Sequence, residues 1–340
     1  RGPRVNPLTE FLSSLGLTGV GTYLAVFLIA SLLMVWRLEA LLAHGLEGTA
    51  LGTLVMPYCS GLGNLIFVGL VATRPDQAGE VLTNCLVNNA TNLTLLLGLP
   101  ALLWGLPLGP RKVAGGAARG KAAAKAGATA QLTRLSLLLT LAAVVFFSGA
   151  TWALAADGRL DALDGLVLIG LFLFWQCFHV FDVLKHNVRQ RRHFGPLFYL
   201  DLMFVLAGAA GLYVSIDWLV TWLSAQQGTF LNATRLGWLS GWLMVVPNAL
   251  LAFYYAARRR ADIAYASQVG DGHICIPLCL GLAAVLQPID VPALFAPGLG
   301  LLVGAAVVHP GCVLLAGGLP RALGAALIAG YVWFVATGFA

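Results

Sequence analysis

EVLTNCLVNNATNLTLLLGLP, residues Glu80–Pro100, is the most informative part of this sequence. It is apolar enough to lie in a lipid bilayer, yet it contains four asparagines within nine residues, namely Asn84, Asn88, Asn89 and Asn92. Asn88 and Asn92 are four residues apart, so they share one face of a helix. A single asparagine at membrane depth often bonds two helices together, whereas a group of polar side chains there marks a cavity or a path. The stretch therefore predicts a transmembrane helix that lines a polar site.

The composition of the whole chain is that of a membrane protein. Of its 340 residues, 59% are hydrophobic and only 10% are charged, and the mean hydropathy is +0.86. A soluble domain has about 25% charged residues, and one membrane span needs about 20 apolar residues. The chain is therefore predicted to be an all-α, polytopic protein embedded in a lipid bilayer.

Several function classes are excluded by the charge and the cysteines. The net charge of +6 needs no nucleic acid partner, because basic residues collect in the cytoplasmic loops of membrane proteins. The six cysteines lie in apolar runs without the spacing of a zinc site, which is typical of buried thiols. The sequence also lacks a Ser-His-Asp, metal-binding or phosphate-cradling pattern. We therefore predict no enzyme activity, no cofactor and no nucleic acid partner.

Ten apolar segments follow one another along the chain, and their numbers are used below. They cover residues 17–36, 48–73, 79–106, 132–156, 161–184, 196–224, 236–257, 262–287, 292–315 and 319–339. Ten spans with both termini outside put fifteen Lys and Arg residues on the cytoplasmic side and five on the other side, as the positive-inside rule expects. We predict a multi-pass protein of the cell membrane, of the bacterial inner-membrane type.

These segments divide the chain into three predicted regions. Residues 1–156 hold segments 1–4 as the first repeat, with a basic, Ala/Gly-rich loop at 107–131. Residues 157–195 hold segment 5 and a second basic hinge, and residues 196–340 hold segments 6–10 as the second repeat.

An internal repeat is the strongest signal in the sequence. Segments 2–3 and segments 7–8 both consist of an apolar helix broken by Pro or Gly, a short polar turn, and a helix with a polar middle and an LGL ending. Asn64 lies 24 residues before Asn88, and Asn248 lies 23 residues before Asp271. The two copies are an odd number of spans apart, so they cross the membrane in opposite directions. Inverted repeats with interrupted helices are typical of secondary transporters that bind substrate at the bilayer midplane.

The paired stretches TNCLVNNATNL (Thr83–Leu93) and ASQVGDGHICI (Ala266–Ile276) resemble the α-repeats of the cation/calcium antiporter superfamily, which includes sodium/calcium and proton/calcium exchangers. The resemblance implies ten transmembrane helices in two inverted five-helix repeats, with segments 2, 3, 7 and 8 at the centre. It also implies an ion-binding site on these four segments. The candidate ion-binding residues are Ser60, Asn64, Asn88, Asn92, Asn248, Asp271 and Cys275.

This chain departs from the superfamily pattern in its charges. Asn64 and Asn248 occupy the positions of the two ion-binding glutamates of the family, while Asp271 occupies a serine position. A calcium site wants six to eight hard oxygens that include carboxylates, and a single negative charge is a poor match for a divalent ion in a low dielectric. We therefore predict that robust sodium/calcium exchange is absent and that Asp271 is the protonatable group of the site.

Two functions stay open on the sequence alone. One is a secondary antiporter that moves an inorganic cation (calcium, sodium or another) in exchange for protons or sodium. The other is a transport-inactive homologue that serves as a membrane subunit or scaffold of a larger complex, in which the asparagines bond helices together. Asp271 has a corresponding alternative, as a structural partner of His273 or of a basic residue.

Overall fold

The structure is a computed structural model, and it describes residues 11, 14, 16, 19–41, 61–72, 74, 77–108, 121–187, 195–228, 230–270 and 272–339. Its helices follow the ten predicted segments. Seven segments each contain one α-helix, and these helices are Val20–Leu41 (segment 1), Leu62–Val71 (2), Lys121–Leu154 (4), Ala162–Asn187 (5), Pro196–Ser224 (6), Leu236–Ala257 (7) and Arg321–Phe339 (10). Short 3₁₀ turns follow segment 4 at Ala155–Asp157 and precede segment 7 at Ala233–Arg235.

The other three segments contain π-helical turns. Segment 3 consists of Ala78–Ala90, the π-turn Thr91–Leu95 and Leu96–Trp104. Segment 8 consists of Ala261–Gly270, Gly272–Ile274, the π-turn Cys275–Cys279 and Leu280–Leu286. Segment 9 consists of Phe295–Gly311 and the π-turn Cys312–Ala316.

The predicted all-α, polytopic membrane fold is confirmed. Within the described residues, eight helical segments are long and apolar enough to cross a membrane. Two shorter apolar helices, Leu62–Val71 and Ala162–Phe178, belong to segments 2 and 5. Together these helices occupy all ten predicted segments.

The start of segment 4 differs from the sequence prediction. The helix begins at Lys121, so residues 121–131, which were predicted to belong to the basic loop, are helical. The reason is the composition KAAAKAGATAQ, because alanine, lysine and glutamine have high intrinsic helix propensity. Hydropathy detects only the membrane-crossing part of such a helix.

The packing of the segments is symmetric between the two repeats. Segment 3 packs against segments 7, 9 and 10, and segment 8 packs against segments 2, 4 and 5. Each contact of segment 3 becomes a contact of segment 8 when every segment is replaced by the one five positions away. Segments 2, 3, 7 and 8 therefore form the centre of the molecule.

The LGL endings of segments 3 and 8 mark two equivalent helix crossings. A Cβ atom on Gly98 would lie 2.9 Å from the carbonyl oxygen of Gly324 in segment 10. Likewise, a Cβ atom on Gly281 would lie 2.9 Å from the carbonyl oxygen of Gly165 in segment 5. Small residues let membrane helices approach to backbone contact. Close packing therefore explains why both copies of the LGL ending have a glycine at this position.

Two pairs of short antiparallel strands close the two ends of the molecule. β1 (Leu106–Pro107) pairs with β4 (Gly318–Leu319), which joins the end of segment 3 to the start of segment 10. β2 (Arg159–Leu160) pairs with β3 (Ile289–Asp290), which joins the start of segment 5 to the end of segment 8. These pairs have the same symmetry as the glycine crossings.

The glycine crossings lead to the first testable prediction. Gly281→Ile should lower the free energy of unfolding by about 1–3 kcal/mol or more, because the new side chain overlaps backbone that has no room to move. Gly300→Ile is the matched control, since a Cβ atom at Gly300 meets nothing within 4 Å. Thermal unfolding in detergent measures both variants, and equal melting temperatures would contradict the packing described here.

Candidate functional site

The polar side chains of the four central segments lie in the interior of the protein. The buried amides are Asn64, Asn84, Asn88, Asn89, Asn92, Asn248 and Gln268. A buried polar group without a hydrogen-bond partner costs roughly 1–3 kcal/mol. The partners of these amides, and the amide atoms that lack partners, therefore define the site.

Three of the predicted ion-binding residues contact one another across segments 3 and 8. The Nδ2 group of Asn92 donates a hydrogen bond to Oδ1 of Asn88 at 3.1 Å. The thiol of Cys275 lies 3.9 Å from the same Asn88 oxygen. In return, the thiol of Cys85 donates to the carbonyl oxygen of Cys275 at 3.2 Å. The two repeats therefore meet at Asn88.

Equivalent π-turns lie at this meeting point. The turn Thr91–Leu95 contains Asn92, and the turn Cys275–Cys279 begins at Cys275. A π-turn changes the hydrogen-bond pattern of the helix from i→i−4 to i→i−5, and such turns occur often at functional sites. In both repeats the helix is thus interrupted where the predicted ion-binding residues lie.

The orientation of the Asn84 amide follows from its partner. The hydroxyl of Ser240 in segment 7 donates to the carbonyl oxygen of Gly237 at 3.2 Å. The same hydroxyl must therefore accept from Asn84, whose Nδ2 group lies 2.9 Å away. This arrangement leaves Oδ1 of Asn84 buried without a hydrogen-bond donor.

Gln268 of segment 8 is fixed in the same way. Its Nε2 group donates to the backbone carbonyl oxygen of Asn248 at 3.1 Å, an atom that can only accept. The Oε1 atom of Gln268 is therefore turned the other way, and it is buried without a donor. The bond also ties segment 8 to the predicted site residue Asn248 of segment 7.

The remaining predicted residues are placed differently. Asn64 is 2% exposed on the segment 2 helix, which packs against segments 3 and 8, and its Oδ1 atom has no donor. Ser60 and Asp271 lie outside the described residues, so their roles stay predictions.

Segments 2, 3 and 8 each provide a neutral oxygen atom that is buried without a hydrogen-bond donor. Asn64 Oδ1, Asn84 Oδ1 and Gln268 Oε1 come from segments 2, 3 and 8. A hard cation is the ligand class that such acceptors suit, and a buried unsatisfied group in a native structure is often the place of an ion or a water. Among the described residues, no group of three or more His, Cys, Asp or Glu side chains could hold a metal ion.

Sequence reasoning did not assign Gln268 or Asn84 to the site. Both had a readable signal, because each is a polar residue in an apolar run. Asn84 lies four residues before Asn88, and Gln268 lies three residues before Asp271, so each shares a helix face with a predicted site residue.

A buried histidine links the π-turn of segment 3 to segments 8 and 9. His309 of segment 9 places Nε2 at 2.8 Å from the carbonyl oxygen of Leu93 and Nδ1 at 2.5 Å from the hydroxyl of Tyr265. The carbonyl oxygen only accepts, so Nε2 carries the hydrogen and Tyr265 donates to Nδ1. His309 therefore holds the backbone beside Asn92 in position.

Comparisons with solved structures identify the fold. The sodium–calcium exchanger NCX_Mj, soaked with 100 mM Na⁺ and 10 mM Sr²⁺, matches with a TM-score of 0.65 at 16% identity, over 92% of this chain and 95% of its own. The H⁺/Ca²⁺ exchanger CAX matches with a TM-score of 0.69 at 13% identity, over 96% of this chain and 84% of its own. This chain has the cation/calcium exchanger fold.

The sequence comparison gives a family match for the first half of the chain. The sodium/calcium exchanger protein family matches residues 15–181, which correspond to segments 1–5 and thus to the first half of the exchanger fold. The resemblance predicted from the sequence is thereby confirmed. Among functionally curated proteins, none matches the sequence.

Proposed function

We propose that this protein is a secondary cation antiporter whose central site binds a monovalent cation, with sodium as the first choice, through neutral oxygen atoms. The observation that carries the proposal is the set of donorless, buried amide oxygens on Asn64, Asn84 and Gln268. Asn84 and Gln268 lie on segments 3 and 8, which π-turns interrupt, and Asn64 lies on segment 2, which packs against both. Interrupted helices of inverted repeats are where secondary transporters bind their substrates. The exchange activities named for NCX_Mj and CAX support cation exchange as the general class.

The charge of the described site favours a monovalent ion. Calcium sites use carboxylates among six to eight oxygen ligands, whereas the positions of the two family glutamates hold Asn64 and Asn248. Removing water from a divalent ion in a low dielectric requires compensating negative charge. Amide oxygens supply dipoles without that charge, which suits an ion with one positive charge.

In this proposal Asp271 carries the exchanged proton. The sequence supports this role, because Asp271 is the acid that the repeat motif puts among the ion-binding positions. If the cation enters the site while the carboxyl group releases its proton, the total charge of the site does not change. Exchange of one sodium ion for one proton is therefore the simplest stoichiometry.

A transport-inactive scaffold is the second candidate. The observation in its favour is the hydrogen bond from Asn84 Nδ2 to the Ser240 hydroxyl, because amides that bond from one segment to another hold membrane helices together. This candidate leaves the oxygen atoms of Asn84 and Gln268 unexplained, which is why antiport is preferred.

Proton coupling gives the second testable prediction. In proteoliposomes with an imposed pH gradient, the wild-type protein should take up ²²Na⁺ and Asp271→Asn should not, because asparagine cannot release a proton. Asp262→Asn is the matched control on the same segment, since Asp262 is exposed and lies 3.4 Å from Arg260. Sodium/proton antiport is ruled out, and the scaffold favoured, if correctly folded wild-type protein shows no ²²Na⁺ uptake above empty liposomes.

A further inference from the structure

A line of polar side chains leads along segment 3 toward the central site. Glu80, Asn84, Asn88 and Asn92 follow one another at four-residue steps. Each step turns by about 40° around an α-helix of 3.6 residues per turn, so neighbouring members stay on the same side. Glu80 and Asn88 are eight residues apart, which corresponds to about 12 Å along the helix axis.

The first two members of this line face segment 7. Glu80 accepts a hydrogen bond from the backbone N–H of Gly237 at 2.5 Å, and Asn84 donates to Ser240 at 2.9 Å. The segments touch here because a Cβ atom on Gly237 would lie 2.5 Å from the carbonyl oxygen of Glu80. The carboxylate and the donorless Oδ1 atom of Asn84 are therefore held at the same helix–helix contact.

The partly buried carboxylate has no cationic partner among the described residues. Arg74 lies six residues before Glu80, and Arg235 lies two residues before its partner Gly237, but both have other contacts. Arg74 lies 3.4 Å from the hydroxyl of Ser224, and Arg235 lies over the ring of Phe339 at 4.5 Å. One hydrogen bond from a backbone N–H satisfies only part of the accepting capacity of Glu80.

We propose that Glu80 and Asn84 form a second cation-binding site, between the central site and the end of the molecule that carries strands β2 and β3. Its ligand is a hard inorganic cation, held by the Glu80 carboxylate and by Asn84 Oδ1, an oxygen atom that this second site shares with the central site. Segment 3 reaches that end at Gly79, because a Cβ atom on Gly79 would lie 3.9 Å from the carbonyl oxygen of Asp290 in β3. The inference rests on the proposed function, because this site would deliver cations to the central one.

The test is a cation titration of the purified full-length chain in detergent. The melting temperature is measured against NaCl and, separately, CaCl2, with choline chloride keeping the ionic strength constant. Glu80→Gln removes the charge but keeps an oxygen acceptor for the Gly237 N–H. It should raise the half-saturating cation concentration at least about tenfold, because a partly buried charge attracts a neighbouring cation strongly. Asp290→Asn is the matched control, an exposed acid at the same end, and should leave the titration unchanged.

The outcomes separate this site from the proposed transport. Coincident titrations of Glu80→Gln and Asp290→Asn, or a wild-type protein that no cation stabilises, would overturn the second site. The NaCl and CaCl2 arms tell whether it takes a monovalent or a divalent ion. If Glu80→Gln does not fold, Glu80→Asp replaces it. The shorter side chain draws the carboxylate away from the cation, so a half-saturating concentration at least about threefold above wild type supports the site, and a titration that coincides with wild type contradicts it. Antiport itself fails on a different readout, the ²²Na⁺ flux.

Discussion

The double variant Asn64→Glu/Asn248→Glu should bind calcium, whereas the wild-type protein should not. Asn64 and Asn248 are 2% and 6% exposed, so two new carboxylates would be taken out of water. An unpaired buried charge costs several kcal/mol, and the empty variant should therefore melt well below wild type. Calcium would neutralise both charges and supply the ligand field that hard divalent ions need, so its addition should restore the stability.

The measurement is the melting temperature with and without CaCl2. The control is Asn64→Gln/Asn248→Gln, which has the same side-chain length and no charge. We expect a large calcium-dependent rise for the glutamate variant and none for the glutamine variant. If calcium stabilises both variants alike, the assignment of these two positions to the ion-binding site is wrong.

The substitution Asn88→Ala should reduce cation flux by about a hundredfold. The Asn88 oxygen accepts from Asn92 and lies beside the Cys275 thiol, so its loss removes the contact at which the two repeats meet. Two buried polar interactions at roughly 1–1.5 kcal/mol each correspond to a factor of about 100. The flux of ²²Na⁺ into proteoliposomes measures this effect.

Asn89→Ala is the matched control for Asn88→Ala. Asn89 is equally buried, but its Nδ2 group donates to the carbonyl oxygen of Cys85 in its own helix at 2.7 Å. Its loss should therefore cost stability and leave most of the flux. Equal loss of flux in the two variants would mean that the amides of segment 3 act only through helix packing.

The sequence predicts most of the fold because the membrane makes the signal strong. Predicted segments 6 and 7 coincide with the helices Pro196–Ser224 and Leu236–Ala257. Such helices are long, apolar and bounded by polar residues, so hydropathy finds both ends. The extension of segment 4 back to Lys121 was missed, because an alanine-rich helix outside the membrane has no apolar signal.

The contacts between residues that are far apart in the chain could not be predicted from the sequence. The LGL ending at Gly98 and Gly281 was recognisable as a repeat, yet its reason lies at Gly324 and Gly165, far away in the chain. The π-turn of segment 3 is similarly not readable from the sequence, because the residue that bonds its backbone, His309 at the Leu93 carbonyl oxygen, lies far away in the chain.

The site was only partly predictable for the same reason. Asn88, Asn92 and Cys275 were named from the repeat motif, and the structure brings them together. Gln268 was missed, because its role depends on which of its two amide atoms faces Asn248. A sequence gives the type of a side chain, but only the partner fixes the direction of an amide.

The most direct test of the account is a comparison of two ions in the same proteoliposomes. Proteoliposomes that contain the wild-type protein are either loaded with sodium or given a pH gradient across the membrane. Uptake of ⁴⁵Ca²⁺ and of ²²Na⁺ is then followed in parallel. The account predicts ²²Na⁺ uptake driven by the pH gradient and no ⁴⁵Ca²⁺ uptake driven by the sodium gradient. Sodium-driven ⁴⁵Ca²⁺ uptake that is lost in Asp271→Asn would contradict it, because the chain would then perform calcium exchange without the two glutamates.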